Sequence, residues 1–395
     1  MEIFKNSIQN AKIRFEIVAL VAAVIVILSI WHIKGFTLND IGQYISMYEN
    51  SSLWDFNETF IYYPDFQTFK TDVISGRVQL NKTKMHNIVI YGEMLASINK
   101  DVRNCAVNNC LIHTNSILWT NASLILIPNR VFPRGKRPEH QAWVAYDYES
   151  PIHSRLSYDL NDKINFTATY RFDSTIRTPY GMYTPNPSAN KDKGNNTKLS
   201  RLENVAAGKD KAVAWIVSNC HPHSPRKSYA DELAKYITVD VYGGCGRFSC
   251  GSTNCFIMLR KHYKFYLSFE NSLCKDYITE KFFSNALMNN VLPIVMGASI
   301  EEYQKVAPPH SFIHVDEFDS PKELAEYLKY LDKNDTAYNE YFAWHDKGVV
   351  SMWSSKPECE FCLLANAIEY LRPTSQANFS VWWRNGCNGR KLRWK

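Results

Sequence analysis

Excess charge is scarce in this chain of 395 residues: 45 Lys and Arg stand against 39 Asp and Glu. They are spread along the sequence, and a net charge of +6 gives no reason to expect a nucleic-acid partner. No internal repeat is present, which excludes solenoid and propeller architectures. No cysteine precedes Cys105, and no formal charge interrupts residues 17–33. Widespread disorder is excluded too, because 45% of the residues are hydrophobic and 14% aromatic.

The uncharged run, IVALVAAVIVILSIWHI, is at the short end of a membrane span. A cleaved signal peptide is the alternative, but its apolar core is usually about 7–15 residues long and ends at small residues. Here Trp31, His32 and Ile33 stand where a peptidase wants small side chains. The expectation is an uncleaved signal-anchor over residues 17–33. Lys5, Lys12 and Arg14 before it favour a cytoplasmic tail, residues 1–16, and a lumenal remainder. Eight N-glycosylation sequons all follow the span, at Asn50, Asn57, Asn81, Asn121, Asn165, Asn195, Asn334 and Asn378. So do all ten cysteines. In an oxidising lumen the pattern Cys359-Glu-Phe-Cys362 reads as disulfide chemistry rather than zinc. Pairing is open, and Cys105, Cys110 or the cluster over residues 245–255 could equally include free thiols. The short, Val-rich span suits a thin membrane of the early secretory pathway.

Residues 34–85 read as a stem of sequons and interleaved aromatics. Strand candidates follow at residues 87–91, 123–127 and 142–148, short apolar runs bounded by turn residues. The Pro-, Asn- and Lys-rich stretch over residues 184–204 separates this first region, 86–190, from a second, 205–350. In the second region strands are expected at 212–217, 237–242, 265–269 and 292–296. Helices are expected at 229–236, 277–289 and 321–331. Alternation of this kind implies right-handed βαβ units and parallel sheets, with a cleft between two α/β regions. Residues 351–395 form a Cys-containing C-terminal segment, whose basic, aromatic end reads as surface.

Three strand ends deliver polar residues. An apolar strand runs into Glu270-Asn271-Ser272, and Asp276 then stands where a helix N-cap is wanted. Lys281 could meet an anion there and Glu280 could accept ribose hydroxyls, although an ordinary solvated helix face fits those two residues as well. A second strand leads to Ser218 and Asn219 and on to Arg226, whose planar fork suits a diphosphate. His221 and His223 between them read as loop residues rather than metal ligands. The third strand ends in Asp147-Tyr148-Glu149. Glu149 is a reasonable general base for an acceptor hydroxyl, and Asp147 with Glu149 also matches the acidic pattern of metal-dependent transferases. The residues alone leave that choice open.

Taken together, FYLSFENS, DYITEKFF, VLPIVMG, WIVSN, SPRKSYADEL, YESPIH and INFTATYRFDSTIRTPYG stand in the order and spacing of the α1,3-fucosyltransferases, glycosyltransferase family 10. The resemblance covers roughly residues 85–345. It implies an α/β enzyme of GT-B type, two Rossmann-like domains facing a cleft, preceded by one N-terminal transmembrane helix. It further implies GDP-fucose as donor, a GlcNAc-containing glycan as acceptor, and a single-pass type II protein of the Golgi membrane. Carried over by motif, Glu149 is the general base, and Ser218, Asn219, Arg226, Asn271, Tyr277, Glu280 and Lys281 hold the donor. Tyr170, Arg171, Asp173 and Tyr242 would line the cleft. No metal or other cofactor is required on this reading, with room for a stimulatory divalent cation. The alternatives are an inactive lumenal binding module and a metal-dependent transferase using another nucleotide sugar.

Overall fold

Short apolar runs make the strands. In a computed structural model that describes residues 62–92, 98–128, 131–154, 156, 158–186, 204–352, 356–371, 375–387 and 390–394, strands β1 (His86–Ile90), β2 (Cys110–His113), β3 (Leu124–Ile127), β4 (Ala142–Asp147), β5 (Phe166–Thr169) and β6 (Ile176–Arg177) form one sheet. Its order is β2-β1-β3-β4-β5-β6, and every pair is parallel. After β7 (Gly181–Pro185), strands β8 (Lys211–Ile216), β9 (Val239–Tyr242), β10 (Tyr263–Phe269), β11 (Leu292–Met296) and β12 (Ile313–His314) make a second parallel sheet. Its order is β12-β11-β10-β8-β9. All seven residues of β10 are buried, as a central parallel strand requires. β13 (Gly348–Met352) returns antiparallel to β7 and ties the two halves together.

In both sheets the strand order reverses after the second strand, which leaves switch points between β1 and β3 and between β8 and β10. Crevices at such switch points, outside the carboxyl ends of the strands, are where open α/β sheets bind ligands. The expected α/β class with parallel sheets is therefore what the chain adopts. The expected membrane span and the sequons Asn50, Asn57 and Asn195 lie outside the described residues. Among the described residues no helix is long and apolar enough to cross a membrane.

The packing joins the halves. Phe282 and Phe283 of the second half share one buried cluster with Val89, Ile125 and Trp143 of the first sheet. Each of these two rings, once fully buried, contributes roughly 1.5–3 kcal/mol. A Cβ at Gly181 would stand 2.5 Å from the Phe283 ring, so the glycine makes room for it. The opposite face of the first sheet is covered by helix Pro357–Leu371, through Phe361 and Leu364, and by Phe66 and Phe69 of helix Phe66–Ile74. Residues read from sequence as the end of the stem and as a separate C-terminal segment thus build the first half.

Five disulfides, Cys105–Cys359, Cys110–Cys362, Cys220–Cys245, Cys250–Cys255 and Cys274–Cys387, pair all ten cysteines. That removes the free-thiol alternative. It also separates the partners of Cys359 and Cys362, which reach back to different residues of the first half.

Three expectations fail. The helix over residues 277–289 is broken into turns, tight ones at Phe282 N to Thr279 O, 3.1 Å, and over Leu287–Asn289, and wide ones between: Asn285 N donates to Glu280 O at 2.9 Å, Leu287 N to Phe282 O at 3.2 Å and Met288 N to Phe283 O at 2.9 Å. The wide ones are i→i−5 bonds, wider than an α-helix allows. Asp276 is no N-cap; its φ of +58° places it in the left-handed region, and its Oδ2 accepts from Phe172 N at 3.0 Å. The basic, aromatic tail is not a surface appendage either. Trp383 and Leu392 are buried, and the Trp394 ring packs 5.2 Å from that of Tyr229.

Candidate functional site

β4 ends at Asp147, and the chain turns at once because Asp147 Oδ1 accepts from Glu149 N at 2.9 Å. Ser154 Oγ donates to Asp147 Oδ2 at 2.6 Å. Both carboxylate oxygens are therefore engaged inside the protein rather than presented beside Glu149 as a cation pair. Burial pushes the Asp147 carboxyl up to about 6, against the lowering effect of the Ser154 and Glu149 hydrogen bonds.

Glu149 meets the second half at this point. The Tyr277 hydroxyl donates to Glu149 Oε2 at 3.2 Å. Tyr277 is buried, its ring 5.0 Å from Tyr170. Next to this contact the hydroxyls of Ser150 and Ser272 lie 2.9 Å apart, a second polar bridge between the halves. The turn chemistry of both segments thus places a half-exposed carboxylate of the first sheet against the segment that follows β10.

The β8/β10 switch point holds the cations. Arg226 Nη1 donates to Phe269 O and Nη2 to Asn219 O, both at 2.9 Å. The guanidinium clips together the chain just beyond β8 and the end of β10, and it is buried. The expected free fork is therefore partly spent on backbone, although among the described residues Arg226 Nε has no partner. Ser218 and Asn219 are exposed at this edge, with Ser218 Oγ accepting from Gly244 N at 3.3 Å. Asn271 lies across from them, its carbonyl accepting from Ser224 N at 3.0 Å.

Lys281 is not a bare cation on a solvated face. Its Nζ lies 3.1 Å from Glu270 Oε2 and 3.0 Å from Glu280 Oε1, and it donates to Thr279 Oγ1 at 2.9 Å. Burial alone would lower its pKa, but Glu270 and Glu280 more than offset that and raise it. For Glu280, burial acts upward and is outweighed by Lys281, so its carboxyl is held below the usual range. Glu280 is 44% exposed and can turn away, whereas Glu270 is 0% exposed and cannot. Glu270 and Thr279 are functional neighbours that sequence reasoning left without a role. The available signal was a carboxylate placed straight after a strand that is buried along its whole length.

Other candidates are elsewhere. Arg171 Nε and Nη2 bind both oxygens of Asp173 at 2.8 and 2.7 Å, and Nη1 donates to the Trp382 carbonyl. The pair anchors the tail and does not line the site, because every guanidinium nitrogen is taken. Tyr242 turns its hydroxyl to Tyr263, 2.8 Å away beneath the sheet, and so does not reach the cleft. Tyr170 is buried and packs its ring against Tyr277. Among the sequons, Asn81, Asn121 and Asn378 are exposed and Asn334 half-buried. Asn165 is 7% exposed, with Oδ1 accepting from Trp143 N at 2.9 Å, so it has no room for a glycan in the folded chain.

Comparison with known proteins matches both halves. The profile of "Fucosyltransferase, N-terminal" matches residues 83–181, and that of "Glycosyltransferase family 10 (fucosyltransferase) C-term" matches residues 206–381. The chain is 46% identical over 290 residues to glycoprotein 3-alpha-L-fucosyltransferase A of Drosophila melanogaster, covering 71% of this chain and 55% of that protein. It is 35% identical over 290 residues to 4-galactosyl-N-acetylglucosaminide 3-alpha-L-fucosyltransferase 9 of Rattus norvegicus, covering 71% of this chain and 76% of that one. A crystal structure of alpha1,3-fucosyltransferase with GDP-fucose is 19% identical with a TM-score of 0.47, covering 73% of this chain and 92% of the other. The match thus spans little more than half of the Drosophila relative's length and about three quarters of the rat one's. On its two matching halves and these relatives, the chain belongs to glycosyltransferase family 10, the fucosyltransferases.

Proposed function

We propose that the chain is an inverting α1,3-fucosyltransferase that moves L-fucose from GDP-β-L-fucose to the 3-hydroxyl of GlcNAc in glycans of glycoproteins or glycolipids. The observation that carries this is the 3.2 Å contact between Glu149 and Tyr277, which sets a carboxylate base of one sheet against the nucleotide-side segment of the other. The two parallel sheets fit a GT-B arrangement, with the acceptor on the first half and the donor at the β8/β10 switch point. Family membership and the relatives' printed names support the donor sugar and the 3-linkage.

In this reading Glu149 takes the proton of the acceptor hydroxyl while its oxygen attacks the anomeric carbon in line. The bond from that carbon to the β-phosphate oxygen breaks, and GDP leaves with the electron pair. Attack from the opposite face inverts β to α. Lys281 supplies the positive charge that meets the departing diphosphate, and Glu280 swings from Lys281 to the ribose hydroxyls. Arg226 contributes its charge from beneath the strand ends rather than a free fork. Ser218, Asn219 and Asn271 line the nucleotide edge. No metal is required in this reading, which is supported by Asp147, the other half of the acidic pair, turning its two oxygens to Glu149 N and Ser154 Oγ.

The enzyme is placed in the Golgi membrane as a type II protein, anchored by residues 17–33 with its catalytic part in the lumen. Five disulfides and sequons confined to the region after the span support that location. The test is a transfer assay on the full-length chain in detergent with GDP-fucose. N-glycan core and LacNAc-type acceptors are offered with and without EDTA, beside Glu149→Gln. Chelator-resistant α1,3-transfer lost in the variant is the expected result. Tight GDP-fucose binding without transfer to any acceptor would make the protein a binding module, and transfer abolished by EDTA would restore the metal-dependent alternative.

A further inference from the structure

Glu270 is a buried carboxylate that the mechanism above does not use. It follows the last residue of β10, and its backbone N–H donates to Met296 O at 2.8 Å, which extends the β10–β11 pairing by one residue. Its side chain occupies space left by a glycine: a Cβ at Gly297 would stand 2.7 Å from Glu270 Cγ. One carboxylate oxygen accepts from both Thr279 N and Thr279 Oγ1 at 2.8 Å. The other lies 3.1 Å from Lys281 Nζ. A charge taken wholly out of water is costly unless it is paired and hydrogen-bonded, and here every bond goes to the turn that carries Glu280 and Lys281.

Resting on the fucosyl-transfer reading, we propose that Glu270 is a positioning residue for the donor diphosphate, acting through Lys281. Thr279 and Lys281 sit where a tight turn, Phe282 N to Thr279 O at 3.1 Å, runs into a wide one, Asn285 N to Glu280 O at 2.9 Å, and no continuous helix ladder holds them, so the turn needs an external anchor. Glu270 supplies it from the rigid end of the central strand. Of the two carboxylates beside Lys281, Glu280 is free to exchange the ammonium for a ribose, and Glu270 keeps hold of it. The ammonium therefore stays charged and in place when Glu280 leaves. In Glu270→Gln the amide cannot satisfy Thr279 and the ammonium together, because one of its two ends is a donor.

The test is a double-mutant cycle read by calorimetric GDP binding, which needs no turnover. Wild type, Glu270→Gln, Lys281→Met and the double variant are compared as full-length chains in detergent. Glu270→Gln is expected to weaken GDP binding at least fivefold in the wild-type background and less than twofold beside Lys281→Met. A smaller loss in the first background, or an equal loss in both, overturns the proposal, since a general effect on the fold would not depend on Lys281. If Glu270→Gln does not accumulate as folded protein, Thr279→Val takes its place in the cycle under the same criteria. Wild-type chain that neither binds GDP nor transfers fucose would instead sink the functional reading itself. Intact transfer with a flat cycle removes the Glu270 role alone.

Discussion

Asp147 is a carboxylate that folding disfavours. Its folded value of about 6 stands above the ordinary aspartate value of 3.8, with burial as the leading cause. The folded chain therefore binds the proton more tightly, and the group's favourable contribution is complete below about pH 4 and lost as pH rises to about 6. The shift corresponds to roughly 2–3 kcal/mol at most. Asp147→Asn has no such titration. The stability of wild type relative to Asp147→Asn is expected to fall between pH 4 and 6.5 in urea melts, and a difference independent of pH would contradict the assignment. At Tyr277, loss of the hydroxyl leaves Glu149 without its positioning partner. Tyr277→Phe is expected to lower kcat about tenfold, with KM for GDP-fucose within about twofold, because an oriented base acts in the transition state. An unchanged kcat in steady-state assays would remove Tyr277 from the machinery. Glu149 could be named from sequence because it stands two residues beyond β4, and Tyr277, Glu280 and Lys281 because they fall in the quotable motif DYITEKFF. Arg171 and Asp173 misled because they pair across two residues and then clamp a tail more than 200 residues away, which local sequence cannot show.

Among the elements, β1, β3, β4, β8, β9, β10 and β11 were legible within two residues at each end, since each is a short, mostly apolar run between turn residues. β6 and β12 have two residues each, too few to carry a period. The misread helix has a physical cause. Its buried apolar residues come as pairs, Tyr277 with Ile278, Phe282 with Phe283 and Ala286 with Leu287, five and then four positions apart. A helical stripe allows four but drifts at five, and the chain answers with i→i−5 turns whose freed carbonyls find side chains. Ser268 Oγ donates to Lys281 O at 2.9 Å and Asn289 Nδ2 to Ser284 O at 2.6 Å. The tail was misread because its Trp and Leu residues are diluted by Arg and Lys. Arg171, 5% exposed as a side chain, holds that tail through the Trp382 carbonyl, with its plane 4.1 Å from the Trp382 ring. Lysine cannot reproduce the fork or the stacking. Arg171→Lys is expected to cost about 2–4 kcal/mol in urea unfolding while leaving the donor-site residues in place. A loss under about 0.5 kcal/mol, the scale of ordinary surface substitutions, would mean that the tail holds without the clip.

For the whole molecule, chain connectivity decides what the disulfides are worth. Helix Pro357–Leu371 comes late in the sequence yet covers the first sheet, so its packing closes a very long loop. Cys105–Cys359 and Cys110–Cys362 span 254 and 252 residues, and they cross the same junction. Closing such a loop restricts the unfolded chain by roughly 5 kcal/mol on the chain-entropy account. With one bridge intact, the other closes a ring of only about ten residues, worth roughly 2–3 kcal/mol. The two contributions are therefore not additive. Cys105→Ser/Cys359→Ser and Cys110→Ser/Cys362→Ser are each expected to lose about 2–3 kcal/mol, and the four-fold variant about 8, more than twice either alone. Urea melts of the three variants check the ordering. If the losses simply add, the bridges act through local packing around Phe361 and Leu364, and the return of the chain to its first half is held by the core alone.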